Sequence, residues 1–494
     1  MGAPTTTART LPAASPGSRT ALSALAWNYG AAVAGALLQL CYTAYTARVV
    51  LPESFGAFAA ACAALTVLGY VAGAGLTTYL LRAEELTRQT VRTAYRVAVV
   101  SGMLCCAAAQ LVAPWAAVVW GLPEIDPIVR LFGAFFLTQP ASLVAQAALR
   151  RLDRARFAAL TDAGAQFVGM STGAALLAVG WSPYGLVAAQ VITPTVTLAV
   201  AAARLRRCAM PKGTHVAASA VLGVSGAFAC YGMIQMAAAD VALWAVTRHL
   251  GPGPAGQFSR AVLMVTLPGA LLAQSLRRAF MPTMARINGE GRTLAGAVPD
   301  VLGVASAVGC VSFGVLAGIG PPAAALLLGP GWGQAGALVP VFAVAAPLAL
   351  VCQIGYAVDE TGKRMMVLLR TQLLVLGATV AATALAVACR PSLAVIAVAA
   401  SLAPGLGHAT QLVRWRRVGL CPELPRLLRG YAVHAAIGAA LCVSGWVGMR
   451  LADDPVTRIA AGLFAMLPTA AACWWLRRRL PLYEAAVARG LVSG

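Results

Sequence analysis

The sequence predicts an all-α polytopic membrane protein of about fourteen transmembrane helices. Two six-helix lobes form a parallel pseudo-two-fold repeat, and two further helices follow at the C-terminal end. Three observations predict this. The 494 residues are 60% hydrophobic and only 11% charged, whereas a soluble domain carries about 25% charged residues. Apolar runs of about 20 residues, enough to cross a bilayer, recur from Ser23 to the C-terminal tail. An Arg-x-x-x-Pro-x-x-x-Gly-x-Phe signature is also written twice. Arg48, Pro52, Gly56 and Phe58 return as Arg248, Pro252, Gly256 and Phe258, and each copy joins two long apolar runs. Repetition of a helix–turn–helix at that distance marks a duplicated bundle.

Length and flanking charge place the first six spans at 23–47, 55–80, 95–119, 129–149, 158–180 and 184–203. The next six fall at 217–247, 257–276, 298–320, 335–358, 367–389 and 391–413, and the last two at 429–449 and 456–476. Residues 1–20, rich in Thr, Pro, Ser and Ala, form an expected disordered cytoplasmic segment. The run behind it, Ser23 to Ala47, exceeds a signal-peptide core and is taken as the first span. Residues 21–215 then make the first lobe, 216–415 the second, 416–478 spans 13 and 14, and 479–494 a cytoplasmic tail.

The loop charges test this layout. Cytoplasmic loops accumulate Arg and Lys, and thirty of the 37 basic residues fall on the side of the N-terminus. The other seven are Arg48, Arg130, Arg248, Arg260, Arg390, Arg450 and Arg458. One missing or extra span would destroy that bias, so both termini are expected in the cytoplasm. The two signatures follow spans 1 and 7, an even offset that gives both copies the same orientation.

The formal charge of +21 belongs to these loops and does not indicate a nucleic-acid partner. The 12 cysteines are scattered, without a Cys-x-x-Cys. Those inside apolar runs (Cys62, Cys230, Cys310, Cys352, Cys442) are expected to be buried free thiols, not disulfides or metal ligands. There is no phosphate loop for ATP, no nucleophile constellation and no outward loop long enough for a catalytic domain. No cofactor, metal or catalytic residue is therefore expected.

With these segments in place, the chain resembles the Wzx-type oligosaccharide-lipid flippases of the multidrug, oligosaccharidyl-lipid and polysaccharide exporter superfamily. The resemblance is carried by Arg48-Val-Val-Leu-Pro52-Glu-Ser-Phe-Gly56-Ala-Phe58, by the basic turn Arg150–Phe157, and by Asp240–Phe258. Phe280-Met-Pro282 and Leu328-Gly-Pro-Gly-Trp332 continue it in order. It covers most of residues 20–380. It implies two lobes around a central cavity that rock between inward- and outward-open states. The substrate implied is a polyprenyl-pyrophosphate-linked saccharide in a bacterial inner membrane, with membrane lipids, a polymerase and glycosyltransferases as partners. A drug or metabolite antiporter of the same superfamily is the alternative, and a membrane glycosyltransferase or polymerase a more distant one. Spans 13 and 14 favour the flippase, because they could form a groove for a lipid tail.

Such a substrate needs cationic and amide groups for its head. Arginine suits a pyrophosphate, offering paired donors and a permanent charge. Arg48 and Arg248, at the ends of spans 1 and 7, and Arg260, at the start of span 8, are the substrate-binding candidates. Each could equally cap a helix C-terminus or reach headgroups. Gln39 and Gln235 on the same spans suit sugar hydroxyls, while Gln139, Gln146, Gln166, Gln190, Gln274 and Gln353 are read as helix glue. Asp240 lies two turns deeper than Arg248, and an intramembrane carboxylate is a functional hypothesis by default. It is the coupling candidate. Asp162 is expected to serve the N-terminus of span 5 beside Arg154 and Arg156. His408 and His434 are expected to be incidental.

Overall fold

A computed structural model describes residues 16–73, 75–82, 85–211, 213, 217–290, 294–361 and 365–476. Most of the N-terminal segment and the whole tail expected in the cytoplasm lie outside the described residues. Span 1 is α1 (Pro16–Val49), and span 2 is α2 (Pro52–Gly73) continued by α3 (Leu76–Arg82). Gly75 adopts the left-handed region between those two pieces. Span 3 is α4 (Arg88–Trp120), and span 4 is divided into α5 (Ile125–Phe132) and α6 (Phe135–Arg151). Gly133 stays right-handed at that division, so the chain kinks without reversing. Spans 5 and 6 are α7 (Ala155–Ala178) and α8 (Tyr184–Arg206).

The second set repeats the plan with α9 (Ala218–Leu250), α10 (Pro252–Gly289), α11 (Ala297–Leu328), α12 (Gly333–Thr361), α13 (Met365–Cys389) and α14 (Leu393–Arg417). Helices α15 (Leu424–Gly448) and α16 (Pro455–Trp475) close the described chain. Twelve spans among the described residues are long and apolar enough to cross a membrane. The two others expected from sequence are α1, whose side chains are described without gaps from residue 33, and α7. Helix α7 is diluted by Asp162, Gln166, Ser171 and Thr172.

Two boundaries differ from expectation. Pro321 and Pro322, expected in an outward loop, lie inside α11. Its end comes only at Leu328, before Gly329 in the left-handed region. A proline costs one backbone hydrogen bond and a clash with the preceding turn, but membrane helices tolerate it when neighbours pack around it; Pro322 is buried. Helix α10 runs about three turns beyond the expected 276, reaching Gly289. The added turns carry Arg277, Arg278 and Arg286, so they leave the apolar layer without leaving the helix.

The apolar core explains how the lobes meet. At the end of the molecule bearing the doubled signature, one cluster runs through both lobes. It joins Phe55, Phe58 and Trp120 of the first to Val246, Phe258 and Trp332 of the second. At the opposite, arginine-rich end the core is split. One cluster, around Leu80, Val91 and Leu149, belongs to the first lobe. Another, around Leu302, Ile354 and Trp415, belongs to the second lobe with the start of α15. The lobes are thus fused at one end and packed separately at the other.

Helices α15 and α16 lie against α11 through glycines. A Cβ on Gly314 would stand 2.5 Å from the Gly438 carbonyl oxygen, and one on Gly438 would stand 2.6 Å from that of Cys310. Small residues of this kind let membrane helices approach to backbone contact. All 12 cysteines are free. Cys310 and Cys352 are buried as expected, Cys62 and Cys442 partly so, but Cys230 is exposed.

Candidate functional site

The two signatures meet each other across the lobe boundary. A Cβ on Gly56 would lie 1.8 Å from the carbonyl oxygen of Pro252, and one on Gly256 would lie 2.0 Å from that of Pro52. Each glycine therefore admits the proline carbonyl of the other copy, and α2 crosses α10 at backbone contact. The prolines start both helices, where the missing N–H would have had no intrahelical partner.

The arginines of the signature follow the same two-fold logic. Arg48, at the end of α1, donates from Nη1 to the carbonyls of Ala44 and Leu327, both at 2.9 Å, and from Nη2 to Leu326 at 2.7 Å. It thereby binds carbonyls that α11 leaves free at its C-terminus, in the opposite lobe. Arg248, at the end of α9, brings Nη1 to 3.7 Å from where a Cβ on Gly121 would be. Gly121 is the left-handed cap of α4, again in the opposite lobe. Trp332 completes the contact by donating to the Ala47 carbonyl at 2.8 Å and meeting the Phe55 ring edge-on at 5.5 Å. Gln257 holds the Trp332 turn in place, donating to Gly331 at 2.6 Å and accepting from the Ala335 N–H at 2.9 Å.

Below this closure lies a seam of polar groups between the lobes. Arg260 of α10 places its guanidinium 4.1 Å from the centre of the Phe55 ring. Its Nε is buried without a hydrogen-bond partner, as are the Tyr42 hydroxyl, one carboxylate oxygen of Asp240 and the Trp244 indole N–H. Tyr42 and Cys62 are within electrostatic reach of Arg260, and Thr66 is within hydrogen-bonding reach of Asp240. Asp240, Trp244 and Arg248 follow one another at i, i+4 and i+8, so they share one face of α9. Buried polar atoms without partners are costly, and four of them on α1, α9 and α10 mark a place built to receive polar atoms.

Each lobe also has a hollow of its own. The first, of about 350 Å³, is walled by Gln39, Gln139, Gln146, Asp162, Gln166 and Gln190 among others. Gln146 donates to Asp162 at 2.7 Å, and Arg150 pairs with the other carboxylate oxygen at 3.0 Å. The second, of about 420 Å³, is mostly apolar, with Phe258, Phe313 and Phe342 in its walls and Gln235, Gln353 and Gln372 as its amides.

A family model described as a polysaccharide biosynthesis protein matches residues 46–336. The chain belongs to that polysaccharide biosynthesis family. The match begins just before the first signature and includes the second, so this family member carries both halves of the closure within it. No curated protein sequence matches the chain. Among solved structures it is similar to the lipid II flippase MurJ in an inward closed conformation, with a TM-score of 0.71 at 10% identity over 92% of this chain and 99% of that one. It is also similar to an inward-facing multidrug resistance MATE family transporter of the MOP superfamily, with a TM-score of 0.59 at 15% identity over 78% and 94%. A MATE structure in a bent conformation matches with a TM-score of 0.53 at 15% identity over 85% and 100%. At these identities the likeness establishes the fold, which is the one these structures share.

In this family member the candidate residues separate into three places. Arg260 and Asp240 lie at the seam, Gln39 and Gln235 line different lobe hollows, and Arg48 and Arg248 are exposed at the closure. For Arg48 the orphan carbonyls of α11 are the nearest acceptors. Asp162 pairs with Arg150 and Gln146 rather than with Arg154 or Arg156, because Arg150 faces it from the end of α6. His408 and His434, expected to be incidental, are buried. His408 contacts Gln411 at 3.0 Å and Tyr431 at 3.2 Å, and His434 contacts Ser306 at 3.3 Å. Asp359, unnoticed in the sequence, is buried against Arg414 and accepts from the Trp415 indole at 3.0 Å. Its Arg-Trp partner pair 55 residues downstream gave no local spacing signal.

Proposed function

We propose that this protein is a flippase that carries a lipid-linked saccharide across a bacterial cytoplasmic membrane by alternating access. The observation that carries the reading is the core that is fused at the signature end and split at the arginine-rich end, with unpartnered polar groups at the seam between. The arginine-rich end is cytoplasmic by the positive-inside rule, which puts both termini in the cytoplasm and the closure outside. Residues 21–215 and 216–415 are the rocking lobes, and 416–478 accompany the second. Substrate enters from the cytoplasmic side. Arg260 meets its pyrophosphate, and Gln39 and Gln235 meet hydroxyls of the saccharide. Arg48 and Arg248 then act as latches, released from α11 and α4 when the lobes part outside. Asp240, on the face of α9 that turns toward α2, is placed to bias one orientation by binding a proton. A polymerase and glycosyltransferases are the partners such a step requires.

Reconstitution tests the reading. Vesicles holding the full chain should move a fluorescent polyprenyl-pyrophosphate saccharide between leaflets, and Arg260→Ala should abolish movement at unchanged protein level. Export of lipophilic cations without saccharide movement would establish the antiporter instead.

A further inference from the structure

The two lobes repeat one backbone plan, yet the hollow of the first is much the more polar. At the offset of the repeated signature, Gln39 and Tyr42 of α1 correspond to Ala239 and Ala242 of α9, and all four line the hollow of their own lobe. The first hollow adds the Arg150–Asp162 pair and four more glutamines. The second adds Val262, Val265, Phe313 and Phe342. Along α12 it runs from Phe342 to Tyr356, roughly 20 Å at about 1.5 Å per residue, or some two-thirds of the bilayer's apolar layer. Its volume of about 420 Å³ falls among ligand pockets, which span about 300–1,000 Å³. Gln235, Gln353 and Tyr356, at the arginine-rich end, also line a small pocket whose walls include the Arg277–Glu360 pair at 3.0 Å. The long hollow is therefore mostly apolar along its length, with Thr266, Thr379 and Ser401 among its walls, and polar at one mouth.

We propose that the apolar length of the second-lobe hollow seats the apolar chain of the substrate, while the first-lobe hollow, with Gln235 at the polar mouth of the second, takes its hydroxyl-rich head. This rests on the flippase reading and adds to it where each end of the amphiphile sits. Apolar walls favour an apolar occupant, and a flexible hydrocarbon chain covers them without placing a polar atom against them. Helices α15 and α16, the tail groove expected from sequence, pack closely onto α11 through Gly314, Gly438 and Gly445.

The test uses the full chain in vesicles and a long-chain polyprenyl phosphate bearing a diazirine on a distal isoprene unit. Photolysis followed by peptide mapping should place adducts on α9, α12 and α14, and unlabelled polyprenyl phosphate should suppress them. Ala345→Phe with Ala349→Phe, which fills the hollow, should lower that labelling about tenfold, equivalent to 1.4 kcal/mol. Val380→Phe, on an exposed position of α13, should leave it unchanged. Saturable adducts confined to α15 and α16, or labelling indifferent to the filled hollow, would overturn the assignment while leaving the flippase reading intact. Failure of polyprenyl phosphate to compete anywhere, with competition by a lipophilic cation in the same hollow, would overturn both.

Discussion

Substituting Gly56 by alanine adds one methyl group at the point where the two copies of the signature touch. The ideal Cβ would stand 1.8 Å from the Pro252 oxygen and 2.5 Å from its carbonyl carbon, and ordinary contact begins at 3.4 Å. Neither atom belongs to a flexible side chain. Helices α2 and α10 must therefore separate by on the order of 1.5 Å, a form of overpacking that costs about 1–3 kcal/mol. That cost is confined to the state in which the lobes are closed at the signature end, because the contact vanishes once they part. Each 1.4 kcal/mol is a tenfold change in an equilibrium, so the outward-closed population should fall about 5- to 150-fold relative to outward-open. A cysteine at Thr66, in a variant free of other cysteines, reports the change through its labelling rate by an impermeant maleimide from outside. Gly377→Ala, at a helical position with nothing within 4 Å, is the control for added helix propensity. A Gly56→Ala variant that labels at the parental rate, in protein that remains folded, would show that this crossing is not the outer gate.

Gly256→Ala should repeat the effect through Pro52, and Gly56→Ala with Gly256→Ala should exceed either alone in the same labelling assay. Single cysteines at Ser182 and Gln334 should label from outside intact cells and one at Asp153 should not; labelling of Asp153→Cys would invert the assigned orientation. Asp240→Asn should remove any stimulation of transport by an imposed proton gradient while leaving substrate binding, measured by equilibrium titration, as in the parent. Asp359→Ala leaves Arg414 without its buried partner, and breaking such a pair costs about 3–5 kcal/mol, so the melting temperature should fall without a specific transport defect. Outside the spans, hydrogen bonds from the Thr457 side chain and backbone hold the Asp454 carboxyl below its ordinary range. Its contribution is complete above the unfolded-state value and lost as pH falls through the lower folded one, so amide exchange at the start of α16 should accelerate only in strong acid.

The spans were legible because each is a long apolar run punctuated by arginines, and both signals survive without any alignment. The doubled signature was legible as a repeat. Its geometry was not, because nothing local reveals that Gly56 receives the carbonyl of Pro252, a contact between residues 196 positions apart. The partners of Arg48 were hidden for the same reason. Two of its three acceptors, Leu326 and Leu327, are backbone carbonyls of a helix expected to end at residue 320. Asp240 and Arg260 stood out as charges within apolar runs, a cue that depends only on composition. Tyr42 and Trp244 did not, since an aromatic in a membrane span is ordinary until its polar atom is found without a partner.

The closure and the hollows place different demands on a duplicated chain. Two lobes that rock against each other about one axis must present the same surface at the crossing, and there Pro52–Gly56 and Pro252–Gly256 interlock reciprocally. Divergence at either copy would spoil a contact that both sides share. The interiors carry no such constraint, because the hollow of each lobe touches only its own helices. Gln39 can become Ala239 without disturbing the partner lobe. An amphiphilic substrate rewards that freedom, since a symmetric pair of polar hollows would strand its tail and a symmetric pair of apolar ones its head. The symmetry kept at the closure and lost in the interiors is what a carrier of such a molecule needs from an ancestral repeat.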